Sequence, residues 1–501
     1  MSGLGGARDG PSTEARELGT VRAPHPDAPG AMRALARLLR SVGYPRLYPL
    51  VTGGALFAPT SAAGEATLAA LVGLTDEERA TLALFSLGAV APHLVADARA
   101  GDALRGVVRA LRSCGLVHGG PGDRLATTGW VAAPALGGLL LTGRPPSYSS
   151  PSAAGDHPDG LGASAYLGPD SLTFAASLPD ARGLRVLDLG AGCGIQGLLA
   201  ARGASEVLLS DVEERSLELA ALNALLNDTP HPVRYALSDC FDALPGETFD
   251  LVVSLPPYVP AAPGTRLRST VAAGPDGLGV IRRVLAGAAA HLRPGGTLVA
   301  RCQLICDDRG PILLRELGAL SSGLAIRLTL GETHPLQPYV AELAANVAAH
   351  GGAESFALAY AAYQASLRGL GATGVCGATI EATRTACEPD SGRDSHAAVR
   401  VVAAPGPRTR LAPAPGLVLE ADPAARVARA DGVGAVLLDG PSAALLAAVD
   451  GRRGPRELAE HAWGSPRGAS GSDLTDQARA RLAQLARHGL VAPVAPEEQS
   501  G

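Results

Sequence analysis

Apolar positions recur along the chain with two periods, and the change between them divides it. From Ala31 to about Thr142 the spacing is helical. Leu35, Leu38 and Leu39 share a face, Thr75-Asp76-Glu77-Glu78 has the form of a capping box ahead of Leu82 and Leu84, and Val107, Val108 and Leu111 form a further stripe. That stripe ends at Gly115-Leu116-Val117. A Gly/Pro turn and a short apolar stretch around Trp130 follow, a pattern that fits a winged helix and equally a plain helical domain. Pro145, Pro146, a run of serines and Gly155 to Gly162 then interrupt regular structure near residue 150.

Past that break, short apolar runs at Arg185–Leu189, Glu206–Ser210, Phe249–Ser254 and Thr297–Leu304 are separated by amphipathic helical stretches. Strands alternating with helices predict an α/β domain with a parallel, doubly wound sheet. A Pro/Ala/Arg-rich stretch from 386 to 430 reads as a linker. The segment 431–496, with Leu445, Leu446, Val449, Leu482, Leu485 and Gly489-Leu490-Val491, has the pattern of a small winged-helix-like module. The expected organisation is thus a disordered tail (1–30), a helical or winged-helix-like domain (31–148), a central Rossmann-like domain (160–385), the linker, and a small C-terminal domain. Either terminal module could present a substrate or simply cap the core.

Composition narrows the class. The chain has 501 residues, which suggests about three domains. Hydrophobic residues reach 47% against 18% charged, so apolar material for buried cores is ample. A net charge of -5 gives no global attraction to polyanions. The seven cysteines (114, 193, 240, 302, 306, 376 and 387) are odd in number and lack paired metal-site spacings. They read as reduced thiols, and no metal is expected. Met1 to Gly30 has no continuous apolar stretch of signal-peptide type, and no apolar run approaches the roughly 20 residues that cross a bilayer. The expectation is a cytoplasmic protein without a membrane partner.

The chemistry gathers at the strand ends. Val186-Leu187-Asp188-Leu189-Gly190-Ala191-Gly192-Cys193-Gly194 is a buried strand running into a glycine-rich turn and a helix, where bare backbone can cradle a ligand. Gly192, Gly194 and Gly197 also satisfy G-x-G-x-x-G, with Asp211 at the distance of a ribose-binding acid, so a dinucleotide is the rival ligand. Asp188, the set Gly190/Gly192/Gly194 and a later proline pair favour a methyl donor instead. Asp211 closes the second strand, where a carboxylate would meet ribose hydroxyls. Ser238-Asp239-Cys240 closes the third, where Asp239 could accept from an adenine amino group. The expected cofactor set is Asp188, Gly190, Ala191, Gly192, Gly194, Asp211, Val212, Asp239, Cys240 and Ser254.

After the fourth strand comes Val253-Ser254-Leu255-Pro256-Pro257-Tyr258-Val259-Pro260. It resembles the Asn-Pro-Pro-Tyr group of class I methyltransferases, which includes glutamine methyltransferases of release factors, guanine methyltransferases of small-subunit ribosomal RNA and N6-adenine methyltransferases. Asp276-Gly277-Leu278 and His291-Leu292-Arg293-Pro294-Gly295-Gly296-Thr297 are similar to stretches that follow this motif. The terminal segments and the Tyr360/Tyr363 region resemble a three-domain actinobacterial group with the same core. The resemblance implies S-adenosyl-L-methionine as cofactor and Leu255, Pro256, Pro257 and Tyr258 as the acceptor-side residues. In the parent motif an Asn oxygen and a proline carbonyl hold the reacting NH2, and the aromatic ring stacks on the acceptor.

Here the Asn position is Leu255, which offers no acceptor. Amide and nucleobase nitrogens depend most on that contact. An amine with a basic lone pair needs only deprotonation and alignment. The expected acceptor is therefore an amine of a peptide or small natural product. An RNA or translation-factor acceptor is the alternative, and a cofactor-binding scaffold without activity is a third reading. No histidine, including His231, His291 and His334, has the setting of a catalytic base.

Overall fold

A computed structural model describes most of residues 24–143 and 165–385, and beyond these only short segments between 399 and 493. The first helix, α1 (Ala28–Ser41), begins inside the tail expected to be disordered, because Pro29 at its first turn and the stripe Met32, Leu35, Leu39 favour burial. Residues 1–23 of that tail lie outside the described residues.

The N-terminal region continues with α2 (Tyr44–Thr52), α3 (Ser61–Ala70), α4 (Asp76–Leu87), β1 (Ala89–Val90), α5 (Asp102–Ser113), β2 (Val117–Gly120), β3 (Arg124–Thr127) and the hairpin β4 (Trp130–Ala135) and β5 (Gly138–Gly143). The capping box is in place: Thr75 Oγ1 accepts from the Glu78 amide at 3.2 Å while Glu78 accepts from the Thr75 amide at 2.8 Å. β1, β2 and β3 form one sheet in the order β1–β3–β2 around α4 and α5, so this segment carries strands as well as helices.

The break at residue 150 does not separate independent cores. The β4–β5 hairpin lies against α8 (Glu214–Leu226), and the apolar cluster of the N-terminal helices takes in Cys193, Ile195, Leu198, Leu219, Leu222 and Leu226 of the central domain. Two amides fasten the joint. Buried Asn223 accepts from the Leu141 amide at 2.6 Å and donates to the carbonyls of Leu141 (2.8 Å) and Cys193 (2.9 Å), and Asn227 exchanges the same pair of bonds with Leu139. Truncating Asn223 to Ala strands the Leu141 amide and two carbonyls in the core. Each unsatisfied group costs about 1–3 kcal/mol, so denaturant unfolding of Asn223→Ala is expected to show a loss of about 3 kcal/mol.

The central domain is built on α6 (Pro169–Ala176), β6 (Arg185–Leu189), α7 (Ile195–Ala200), β7 (Glu206–Asp211), α8, β8 (Val233–Leu237), β9 (Phe249–Ser254), α9 (Gly279–His291), β10 (Leu292–Asp307), β11 (Gly310–Pro311), β12 (Leu324–Pro335), α10 (Leu336–Ala348), α11 (Gly352–Gly369) and β13 (Gly374–Arg384). With β14 (Val399–Ala403) the strand order is β14–β12–β13–β10–β9–β6–β7–β8. Val186, Val207, Leu251 and Val253 pack on one face with Phe174 and Leu217, while Leu187, Leu208 and Val252 pack on the other with Ile281 and Leu285. Burial of both faces explains the nearly continuous apolar runs.

The sheet is not wholly parallel. β13 runs against both β10 and β12. A helical pair, α10 and α11, joins β12 to β13 and returns the chain to the end of the sheet it left, so β13 runs back against β12 without the crossover that a parallel pair would need. The linker expectation for 386–430 is also corrected. β14 pairs with β12, and Val418–Ala421, Arg426–Ala430 and Val433–Leu438 form an antiparallel sheet of their own. Most of the C-terminal module expected at 431–496 lies outside the described residues.

Candidate functional site

Register brings the chemistry-bearing residues to one edge. Leu189 at the end of β6 pairs with Ser210 on one side and Ser254 on the other, and Asp211 pairs with Leu237. The glycine turn, Asp211, Ser238 and Leu255 therefore emerge from four adjacent strand ends, where open parallel sheets leave a crevice. At the opposite edge Arg185, Glu206, Arg234 and Glu247 form an ion-pair network, with Arg185–Glu206 at 3.0 Å and Arg234–Glu206 at 2.7 Å. That edge is a structural clamp.

The turn is built around positive φ. Gly190, Gly192 and Gly194 have φ of 76°, 55° and 84°. The Gly190 and Ala191 amides both donate to the Ser210 carbonyl, at 2.8 and 2.9 Å, which pins the turn to β7. A Cβ added at Gly190 or Gly192 would meet nothing within 4 Å, so open space lies against bare backbone at both. Gly194 and Gly197 are glycines for a different reason. A Cβ at Gly194 would come within 2.9 Å of Leu209 and 3.0 Å of Ala220, and one at Gly197 within 3.0 Å of Asp188. These two close the helix onto the sheet.

The expected cofactor residues divide accordingly. Asp211 sits at the crevice, its oxygens accepting from the Gly192 amide at 2.8 Å and the Glu213 amide at 2.9 Å. Burial pushes its carboxyl above the ordinary value, against the pull of those amides. Val212 follows it and is 52% exposed. Asp188 does not line the crevice. It is wholly buried and accepts from the Gly197 amide at 2.7 Å, fixing the start of α7, and burial raises its carboxyl to about 7. Ser254 is buried too, its hydroxyl donating to the Leu189 carbonyl at 2.8 Å, and Ala191 is packed among core side chains. Asp188 and Ser254 hold the turn from beneath because their positions in the pleat point inward, and Ala191 packs inward from the turn itself. Cys240 is half-buried with φ of 52°, and burial pushes its thiol to about 11. Asp239 is drawn aside: both its oxygens accept from Arg283 of α9, at 2.7 and 2.8 Å.

On the acceptor side, Leu255 is half-buried, Pro256 is buried, and Pro257 and Tyr258 are half-buried. The Asp276-Gly277-Leu278 segment supports this loop. A Cβ at Gly277 would collide with the Tyr258 carbonyl, and Asp276 is held by Arg282, which also pairs with Glu316 at 2.6 Å. Val259 and Ala262 join the apolar cluster containing Tyr339 and Tyr363 of α10 and α11, so the helical pair walls the loop. The Tyr258 hydroxyl donates to Asp170 at 2.7 Å. Sequence reading missed Asp170; Gly168-Pro169-Asp170 signals a helix start, but nothing in it points to a residue 88 positions on.

Cys302 and Cys306 are both buried, and Cys306 lies 3.5 Å from Cys376 on the neighbouring strand. Among the described residues no group of three or more potential ligands could hold a metal, and no helix is long and apolar enough to cross a membrane.

Residues 163–309 match the family described as methyltransferase small domain. The chain is 42% identical over 125 residues to a release factor glutamine methyltransferase of Xylella fastidiosa, covering 23% of this chain and 45% of that protein. It is 35% identical over 142 residues to a ribosomal protein uL3 glutamine methyltransferase of Bradyrhizobium diazoefficiens, covering 26% and 43%. It thus spans about half the length of these curated relatives. Among solved structures, the YcgJ protein of Bacillus subtilis aligns over 44% of this chain and 99% of its own at 15% identity and a TM-score of 0.31.

Proposed function

We propose that this chain is a class I S-adenosyl-L-methionine-dependent methyltransferase that methylates an amine nitrogen of a polypeptide. The observation that carries the cofactor half is the open space over Gly190 and Gly192 beside Asp211. Bound there, S-adenosyl-L-methionine supplies an electrophilic methyl group whose bonding pair stays on sulfur when a nitrogen lone pair attacks. The protein's part is placement. Asp211 keeps lone pairs for ribose hydroxyls while its amide bonds fix its direction, and exposed Val212 offers an apolar face for the adenine. Asp239 reaches an adenine amino group only with Arg283 already on its carboxylate.

Leu255 carries the acceptor half. With no side-chain acceptor at that position, the loop favours a nitrogen that needs alignment and desolvation alone, its proton leaving to solvent. Similarity to glutamine methyltransferases of a release factor and of ribosomal protein uL3 favours a second reading, the side-chain amide of a translation protein.

Calorimetry with S-adenosylhomocysteine and NAD separates the cofactor readings. Binding of the first without the second is expected, and NAD binding alone overturns the assignment. Leu255→Asn tests the acceptor half. Methylation of glutamine-containing peptides should rise at least tenfold while homocysteine-form affinity stays within twofold, and a change in cofactor affinity alone would misplace Leu255.

A further inference from the structure

The segment ahead of β6 delivers a group that the glycine turn and the proline loop do not account for. Asp170 stands in the first turn of α6 and is half-buried, with one oxygen accepting from the Ser171 amide at 2.9 Å and the other from the Tyr258 hydroxyl at 2.7 Å. No arginine or histidine pairs with it among the described residues. Tyr166 converges on the same place. A Cβ built on Gly168 would collide with the Asp170 carboxylate and come within 2.9 Å of the Tyr166 ring and 3.3 Å of its hydroxyl. Tyr166 is 39% exposed and tilted against Phe57, with ring centres 6.3 Å apart. Burial, and then the Asp170 charge, push its phenol up to about 12.

The result is one carboxylate bonded by the Tyr258 hydroxyl, with the edge and hydroxyl of Tyr166 beside it, at the mouth of the loop proposed to hold the acceptor. A partly buried carboxylate with no cationic partner among the described residues, and with phenol hydroxyls beside it, is suited to a cation that can donate several hydrogen bonds, through charge-assisted bonds to the carboxylate. It is a poor place for a neutral amide, which brings no charge to offset the carboxylate's partial desolvation. Phosphate-bearing acceptors would be repelled.

We infer that Tyr166, Asp170 and Tyr258 form a recognition site for a primary ammonium group on the acceptor. This rests on the amine-methyltransferase reading and narrows it. The ammonium belongs to a lysine side chain or to a chain terminus, two sources of one chemistry. Asp170 binds it and orients Tyr258, and Leu255 leaves the neighbouring wall apolar.

Saturation-transfer NMR on the full chain, with and without S-adenosylhomocysteine, tests the site with three probes. Nα-acetyl-lysine methylamide carries a side-chain ammonium, alaninamide a terminal one, and Nα-acetyl-glutamine methylamide none. At least one ammonium probe is expected to bind tenfold or more tightly than the glutamine probe, and the tighter of the two identifies the source. Equal binding of all three overturns the site. Asp170→Asn should lower ammonium-probe affinity at least tenfold, whereas Tyr258→Phe, which keeps the carboxylate, should lower it less than threefold. Equal losses in both variants would make the hydroxyl–carboxylate bond merely structural. S-adenosylhomocysteine affinity should stay within twofold in Asp170→Asn, and a tenfold loss would place Asp170 in the cofactor pocket. Failure of the wild-type chain to bind S-adenosylhomocysteine counts against the methyltransferase reading alone, because the probe titrations in the free protein still report on the site.

Discussion

Gly192→Val is expected to weaken S-adenosylhomocysteine binding at least about 100-fold by calorimetry, the largest loss any single residue of the crevice should give. Gly192 has φ of 55°, and a Cβ there meets nothing within 4 Å. The apo protein can therefore accommodate the side chain at the cost of a left-handed backbone, about 1–2 kcal/mol. The branched side chain instead occupies the space where a ligand would lie on bare backbone. Affinity and stability should consequently separate, with binding lost and the unfolding midpoint only modestly lowered. At Gly197 the order reverses, since its Cβ would press on Asp188 within the protein itself. Undiminished affinity in Gly192→Val would place the cofactor elsewhere.

That contrast marks how far the sequence could be read. Strands β6, β7 and β9 lie where alternation and apolar runs put them, because their pattern is set by burial on both faces. The chain order of glycine turn, Asp211 and proline loop became one edge because strand pairing places successive strand ends side by side. Other features depend on contacts across many residues. Asn223 and Asn227 look like ordinary polar positions in α8, yet they bind a hairpin more than 80 residues earlier. The reversed β13 follows from how the helical pair α10–α11 returns, which no local pattern encodes. Asp188 and Ser254 were legible as strand-end polar residues, but which way each faces depends on the pleat, and both face inward. Asp170 was invisible as a site residue, since only the folded chain brings it to Tyr258.

Asp188→Asn should change how stability responds to pH, in a direction fixed by burial. The Asp188 carboxyl is raised from 3.8 to about 7, first by desolvation, opposed by the Gly197 amide bond, and then raised further by the nearby charge of Asp211. In the folded protein it holds its proton across a range in which the unfolded chain has released it. By linkage, the contribution is full below about pH 4, declines as pH rises and is gone above about pH 7. A shift of that size is worth on the order of 4 kcal/mol across the window. Asn keeps the shape and an oxygen for the Gly197 amide but never ionises. Denaturant unfolding of the wild-type chain should therefore lose stability between about pH 4 and pH 7, while Asp188→Asn shows a flatter profile and exceeds wild type at pH 8 by roughly 1–3 kcal/mol. Parallel profiles would mean that Asp188 ionises in the folded protein as readily as in the unfolded chain. The cost is borne because the same carboxyl fixes the first turn of α7, and with it the bare backbone of the glycine turn on which the cofactor is proposed to rest.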